Sequence, residues 1–410
     1  MRKILSFIRL CVLGALVGAL GGLVGACFAH LLSFVTQLRE STPWLILLLP
    51  AGAMITVWLY RSCRMQDYGG ANEIVLCLAE QKPIRTLAAP LIFVASAITH
   101  LLGGSAGREG AALQLGGAGA AWLCRRLRLQ EKDRTILVMS GMSAVFAGLF
   151  GTPLTATVFV LEFRAKPKVL GLALLPCLIS SVLAAKLAGA LGVASEAVSL
   201  HSIAAFTLPA VAKILVLALG LGILARIVCA VFHNAGHWCK RLLKNDYLRA
   251  ALAAAAVVAL TAIVGDMRYN GAGMTMAIAA VEGHANWFDF LLKLLFTAVT
   301  LAAGLKGGEI VPTFCIGATF GCILGGLLGM DAGFAAALGL VGLFCCAANS
   351  PIGGILLGIE LFGLSALPYY ALICLILWPL SANHGLFQNR FCRPVDSLLK
   401  KQKRSKEEVS

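Results

Sequence analysis

The chain repeats itself. Pro153 and Glu162 stand nine positions apart in a segment that opens Gly151-Thr152-Pro153, and Pro351 and Glu360 stand nine apart in one that opens Ser350-Pro351, 198 positions downstream. Tyr68-Gly69-Gly70-Ala71 is echoed by Tyr269-Asn270-Gly271-Ala272 at an offset of 201. The glycine-rich stretch ending in Gly107-Arg108-Glu109-Gly110 is echoed by Gly307-Gly308-Glu309-Ile310-Val311-Pro312. Three matches in one order at nearly one offset mark an internal duplication. In a membrane chain, such a duplication places a substrate site where the two halves meet.

The solvent for those halves follows from composition. With 59% hydrophobic and 13% charged residues, the chain carries more apolar surface than a water-soluble fold can hide, and apolar runs near twenty residues read as membrane helices. The runs fall at 4–36, 43–60, 86–102, 136–161, 169–193, 207–230, 249–265, 287–304, 312–330, 332–349 and 366–380. Some are too long and some too short for one crossing, so tilted and half-spanning helices are expected, about 10–14 membrane segments in all. The opening Met1-Arg2-Lys3 imitates a signal peptide, but its apolar run continues without a cleavage site, which favours a retained helix.

A net charge of +15 would suit a nucleic-acid partner if it were clustered on one face. It falls instead in short gaps between apolar runs, at Arg61–Arg64, Arg125–Arg134, Lys240–Arg249 and beyond Arg390. That is the positive-inside pattern, which puts these gaps and both termini on the cytoplasmic side of a multi-pass protein in the cell membrane and argues against nucleic acid. Fourteen cysteines lie mostly inside apolar runs without metal-ligand spacing, so free thiols are expected and neither metal nor cofactor is implied. The organisation read from these features is a membrane half at 1–200, a second at 201–390 and a short basic cytoplasmic tail at 391–410.

The chemistry concentrates at the helix breaks. A glycine-rich interruption between apolar helices leaves backbone N–H groups and the positive end of a dipole at the start of the second helix, which makes an anion site. Breaks of this kind occur at Gly70–Asn72, at Gly103–Gly110 and at Gly304–Pro312, where Pro312 suits a first helical turn. Glu109 and Glu309 are isolated acids at membrane depth, costly there unless they serve a pathway or relay. Glu109 at its helix start could occupy the anion site and leave it on protonation; the alternative is a self-neutralising Arg108–Glu109 pair. Glu162 and Glu360 close the two proline-initiated segments, and their duplication suggests a structural task such as capping backbone amides. The Gly14/Gly18/Gly22 and Gly317/Gly321/Gly325/Gly329 ladders suggest close helix packing.

These residues together resemble the CLC family of chloride channels and proton-coupled halide antiporters. Gly107-Arg108-Glu109-Gly110 resembles the family's gating-glutamate motif, and the Pro153–Glu162 and Pro351–Glu360 segments resemble its paired segments. Thr99–Gly110, Gly307-Gly308-Glu309 and His384-Gly385-Leu386-Phe387 are similar to the fluoride-exporting CLC-F branch. The resemblance implies an all-α polytopic membrane protein, an inverted repeat of tilted and broken helices, working as a homodimer in the bilayer with one pore per subunit. It further implies that Glu109 is the external gate and that Glu309 takes part in proton coupling. Phe163 stands where typical CLC antiporters place a second acid, as in the fluoride branch. Gly70 or Ala71, Val311 and Phe387 depart from the methionine, threonine and tyrosine usual in that branch.

The reading is transport of chloride or fluoride by anion/proton antiport, the alternative being a passive voltage- or pH-gated chloride channel. Gly70, Ala71, Asn72, Gly107, Arg108, Gly110, Ile310, Val311 and Phe387 are the candidate anion-binding positions. An embedded enzyme would need a nucleophile–base pair or metal ligands that the seven histidines and Ser105 do not provide.

Overall fold

The computed structural model describes residues 2–80, 82–163, 167–200, 202–203, 205–381 and 385–386. The tail at 391–410 and position Phe387 lie outside them. Sixteen α-helices follow one another, with no strand among the described residues. The first eight are α1 (Arg2–Ser41), α2 (Leu49–Ser62), α3 (Ala71–Glu80), α4 (Ala88–Leu101), α5 (Glu109–Arg126), α6 (Glu131–Phe150), α7 (Pro153–Leu161) and α8 (Pro167–Ala190). The second eight are α9 (Leu208–Leu242), α10 (Asp246–Val264), α11 (Met274–Val281), α12 (Asp289–Ala302), α13 (Ile310–Leu327), α14 (Ala332–Ala348), α15 (Pro351–Phe362) and α16 (Leu367–Ser381). From α4/α12 to α6/α14 the starts of matching helices are 201 residues apart.

Among the described residues, seven helices are long and apolar enough to cross a membrane, and four shorter apolar ones accompany them. At about 1.5 Å per residue, the 40 residues of α1 are longer than a bilayer is thick, so this helix tilts within the bilayer or extends beyond it. Two apolar runs divide where hydropathy showed none. The run at 43–60 starts as a 3₁₀ turn, Pro43–Leu48, before α2. The run at 136–161 breaks because Gly151 takes a left-handed conformation and closes α6 through its N–H to the Ala147 carbonyl at 2.8 Å, after which Pro153 opens α7. Asn349, also left-handed, ends α14 two residues before Pro351 in the same way.

Small residues set the packing. A Cβ on Gly18 would come within 2.7 Å of the Ser180 backbone, and Gly14 and Gly22 face Pro176 and Ala184, so one face of α1 lies directly on α8. Inside each half two helices cross with almost no side chain between them: Gly116 of α5 abuts Gly141 of α6, and Gly317 of α13 abuts Gly339 of α14. A Cβ at any of the four would overlap the carbonyl of its partner. Helices α6 and α14 form the centre and are buried along nearly their whole length. Ile8, Val12, Leu16, Trp58 and Ile263 project outward from α1, α2 and α10, an apolar exterior suited to lipid rather than water.

Candidate functional site

The two glycine breaks meet each other. Gly107 and Gly308 exchange both backbone hydrogen bonds, at 2.7 and 2.6 Å. One tier away, the Thr99 hydroxyl accepts the N–H of Lys306 at 3.2 Å, and Thr300 accepts the N–H of Ser105 at 3.0 Å. Each half thus satisfies backbone donors of the other's non-helical segment, which the apolar surroundings could not do. Only glycine fits at this crossing: a Cβ on Gly308 would lie 2.6 Å from the Gly110 nitrogen.

Beside this junction α5 and α13 begin, and the Glu109 carboxylate lies between their starts. Its side chain is fully buried. Oε1 accepts the Arg108 N–H at 3.0 Å and Oε2 accepts the Val311 N–H at 3.1 Å. Two helix N-termini therefore share one carboxylate, in the position where backbone donors and dipoles favour a negative charge.

Cavities approach this point from both sides. One of about 310 Å³ is lined by Gly70, Ala71, Asn72, Gly110, Gly308 and Glu309. It shares Tyr60, Tyr68 and Lys306 with a second, of about 660 Å³, bordered by Arg61, Lys240, Lys244 and Arg249. On the other side a cavity of about 350 Å³ is lined by Arg39, His100, Arg108, Glu196, Gly271 and Val311. The neighbours of Glu109 therefore divide between two vestibules: Arg108 and Val311 face one, Gly110 and Gly308 the other. The Glu109 carboxylate itself is fully buried and lines neither cavity.

Glu162 and Glu360 sit elsewhere, at the contact of α7 with α15. Glu162 accepts the N–H groups of Ile352 and Gly353 at 3.1 and 3.2 Å and the Ser350 hydroxyl. Glu360 accepts those of Leu154 and Thr155, both at 2.8 Å. Each acid covers the start of the other half's proline-initiated helix.

The comparisons with known proteins agree with this geometry. A family model described as voltage gated chloride channel matches residues 52–377. The chain belongs to the voltage-gated chloride channel family. Within it, the chain is 34% identical over 382 residues to a chloride/fluoride channel protein of Pseudomonas syringae pv. tomato, covering 92% of this chain and 84% of that one. It is 27% identical over 409 residues to an H(+)/Cl(−) exchange transporter, ClcA, of Vibrio vulnificus, covering 92% and 86%. A solved CLC-type fluoride/proton antiporter superposes with a TM-score of 0.87 at 33% identity, covering 93% of this chain and 97% of that one. The architecture is the family's inverted repeat of broken helices.

In this voltage-gated chloride channel relative, the candidate residues divide by place. Gly70, Ala71, Asn72, Gly110 and Glu309 line one vestibule, and Arg108 and Val311 the other. Asn72 also donates through Nδ2 to the Leu386 carbonyl at 2.9 Å, tying α3 to the chain just before Phe387. Gly107 belongs to the junction, and Ile310 is buried at the first turn of α13. Phe163 is buried edge-on against Phe159, ring centres 4.8 Å apart. The self-neutralising Arg108–Glu109 pair is not what forms: the Arg108 guanidinium pairs with Glu196 and stacks over Phe150 at 5.2 Å. His100 donates through Nδ1 to the Ser96 carbonyl at 2.8 Å.

Sequence reasoning overlooked Lys293. It is fully buried on α12, and its ammonium donates to Ser105 Oγ at 3.0 Å and to the carbonyls of Tyr269 and Gly271 at 3.0 and 2.8 Å. It ties the loop before α11 to the α4–α5 break. The charge in an apolar run was the available signal.

Proposed function

We propose that this protein exchanges a small inorganic anion, fluoride or chloride, for protons across a membrane. The observation that carries the reading is the Glu109 carboxylate, which occupies a seat made of two helix starts between two opposed vestibules. As an anion it fills the seat. Protonated, it no longer competes for the Arg108 and Val311 N–H groups, and a halide can take them in its place. Glu309, lining the vestibule beyond Gly308, serves as the second proton station; a proton accepted by one carboxylate is released by the other as the anion passes.

The names of the relatives support the same reading, since one is a fluoride/proton antiporter and another an H(+)/Cl(−) exchange transporter. By the positive-inside rule, the basic borders of the larger vestibule support a cytoplasmic side for it and for both termini. We assign residues 1–200 and 201–390 to the two membrane halves and propose a homodimer in which each subunit carries its own path.

The test is efflux from proteoliposomes, following fluoride or chloride together with external pH. Anion efflux with opposing proton movement is expected from the wild type, and loss of the proton component from Glu109→Gln. Unchanged proton movement in that variant would exclude Glu109 as the gate; anion flux without protons in the wild type would make the protein a channel.

A further inference from the structure

The segment joining the two halves passes close to the outer mouth of the pathway. The Val198 N–H donates to the Leu361 carbonyl at 2.8 Å, at the end of α15. Ser195 packs on the turn between α6 and α7, where a Cβ on Gly151 would meet its hydroxyl at 3.1 Å. Between these two anchors Glu196 reaches the Arg108 guanidinium. The side chains of this pair are only 20% and 19% exposed, so the contact is shielded from screening far more than a surface pair.

Arg108 precedes Glu109 directly, and a free guanidinium is a strong bidentate partner for a carboxylate. We infer that Glu196 is a positioning residue: it holds the Arg108 guanidinium to one side of the outer vestibule, so that the Glu109 carboxylate leaves its seat without being captured by the neighbouring cation. The inference rests on the reading of Glu109 as the moving group. The other charged groups facing this vestibule are Arg39 and Glu40, paired with each other at 3.3 Å, and His100 is the remaining titratable side chain there. Lys293 lies behind Ser105, while Lys306 and Glu309 line the opposite vestibule. Among the described residues Glu196 is thus the acid committed to Arg108.

The experiment measures coupled efflux against pH for the wild type, Glu196→Gln, Glu196→Asp, Arg108→Gln and the Arg108→Gln/Glu196→Gln double variant, with thermal melting of each in detergent. An unpaired guanidinium stabilises the charged carboxylate, so more acid is needed to discharge it. Glu196→Gln is therefore expected to move the midpoint of the pH–flux profile down by about half a unit, and so to slow exchange near neutral pH up to about threefold. Glu196→Asp keeps the charge and is expected to stay near the wild type. The double variant is expected to match Arg108→Gln, because the captor is gone. A profile unmoved by Glu196→Gln, or moved equally in the absence of Arg108, overturns the inference, whereas a merely structural Glu196 would change melting without moving the midpoint. A wild type that moves no protons overturns the functional reading and this inference with it; a coupled wild type with an unmoved Glu196→Gln profile overturns the inference alone.

Discussion

Glu162 caps the helix that carries Glu360, and Glu360 caps the helix that ends beside Glu162. The exchange crosses the contact between the halves and leaves each proline-initiated helix start satisfied by a residue 190 to 206 positions away. Glu162 is the more deeply buried of the two, with 2% of its surface exposed.

Removing Glu162 strands the Ile352 and Gly353 N–H groups and the Ser350 hydroxyl in an apolar seam. Glu162→Ala is expected to cost about 3 kcal/mol, and Glu360→Ala, whose site is more open, about 1 kcal/mol. Glu162→Gln keeps an acceptor and should lose less than Glu162→Ala. Thermal or denaturant unfolding of the purified protein in detergent ranks them; equal losses for Glu162→Ala and Glu360→Ala would contradict the capping account.

Helix crossings give a sharper contrast within single helices. Gly116→Ala and Gly317→Ala place a methyl group against a carbonyl and are expected to destabilise by about 2 kcal/mol each. Among the described residues, nothing lies within 4 Å of a would-be Cβ on Gly119 of α5 or Gly326 of α13. Their alanine variants are expected to gain up to about 1 kcal/mol from helix propensity. The same melting series checks all four, and similar behaviour of Gly116 and Gly119 would refute the close-crossing explanation.

Glu309→Gln preserves size and polarity but cannot exchange a proton near neutral pH. It is expected to cut proton movement at least about tenfold while anion efflux continues. A pH electrode and a fluoride electrode in one vesicle suspension read both currents, and full proton movement would remove Glu309 from the relay.

Lys293→Ala withdraws three donated hydrogen bonds and leaves the Tyr269 and Gly271 carbonyls buried without that donor, for an expected loss of about 3 kcal/mol. Gly273, at φ +93° with Lys293 Cε 2.6 Å from a would-be Cβ, should also resist alanine, through both its backbone and that contact. Because the contact disappears with the lysine side chain, the Lys293→Ala/Gly273→Ala double variant is expected to lose less than the two single losses together. Strict additivity in unfolding would separate the two residues.

What the sequence disclosed was whatever the duplication repeated. Glu109, Glu309, Glu162 and Glu360 stood out because each is an acid in an apolar run with a counterpart about 200 positions away or a glycine break beside it. Lys293 escaped because Ile92 stands 201 positions before it, so the repeat gave no echo of the charge. Gly116 and Gly141 escaped because single glycines are unremarked among 44, and only the folded crossing shows which ones two backbones share. Glu196 escaped because a joining segment has no periodicity to read; its partner is fixed by anchors at Val198 and Ser195. Hydropathy alone hid the end of α6 at Gly151 and the start of α2 at Leu49, since a left-handed residue or a 3₁₀ turn changes direction without changing polarity, whereas Pro153 already marked the start of α7.

The reciprocal hydrogen bonds at Gly107–Gly308, Thr99–Lys306 and Thr300–Ser105 tell against one style of transport. Sliding one half over the other would break all of them together and leave several backbone donors without partners at once. The seam behaves as a weld rather than a hinge. On the proposed reading, access alternates through something small enough to move without opening it, and a single carboxylate pivoting beside a stationary backbone is of that scale.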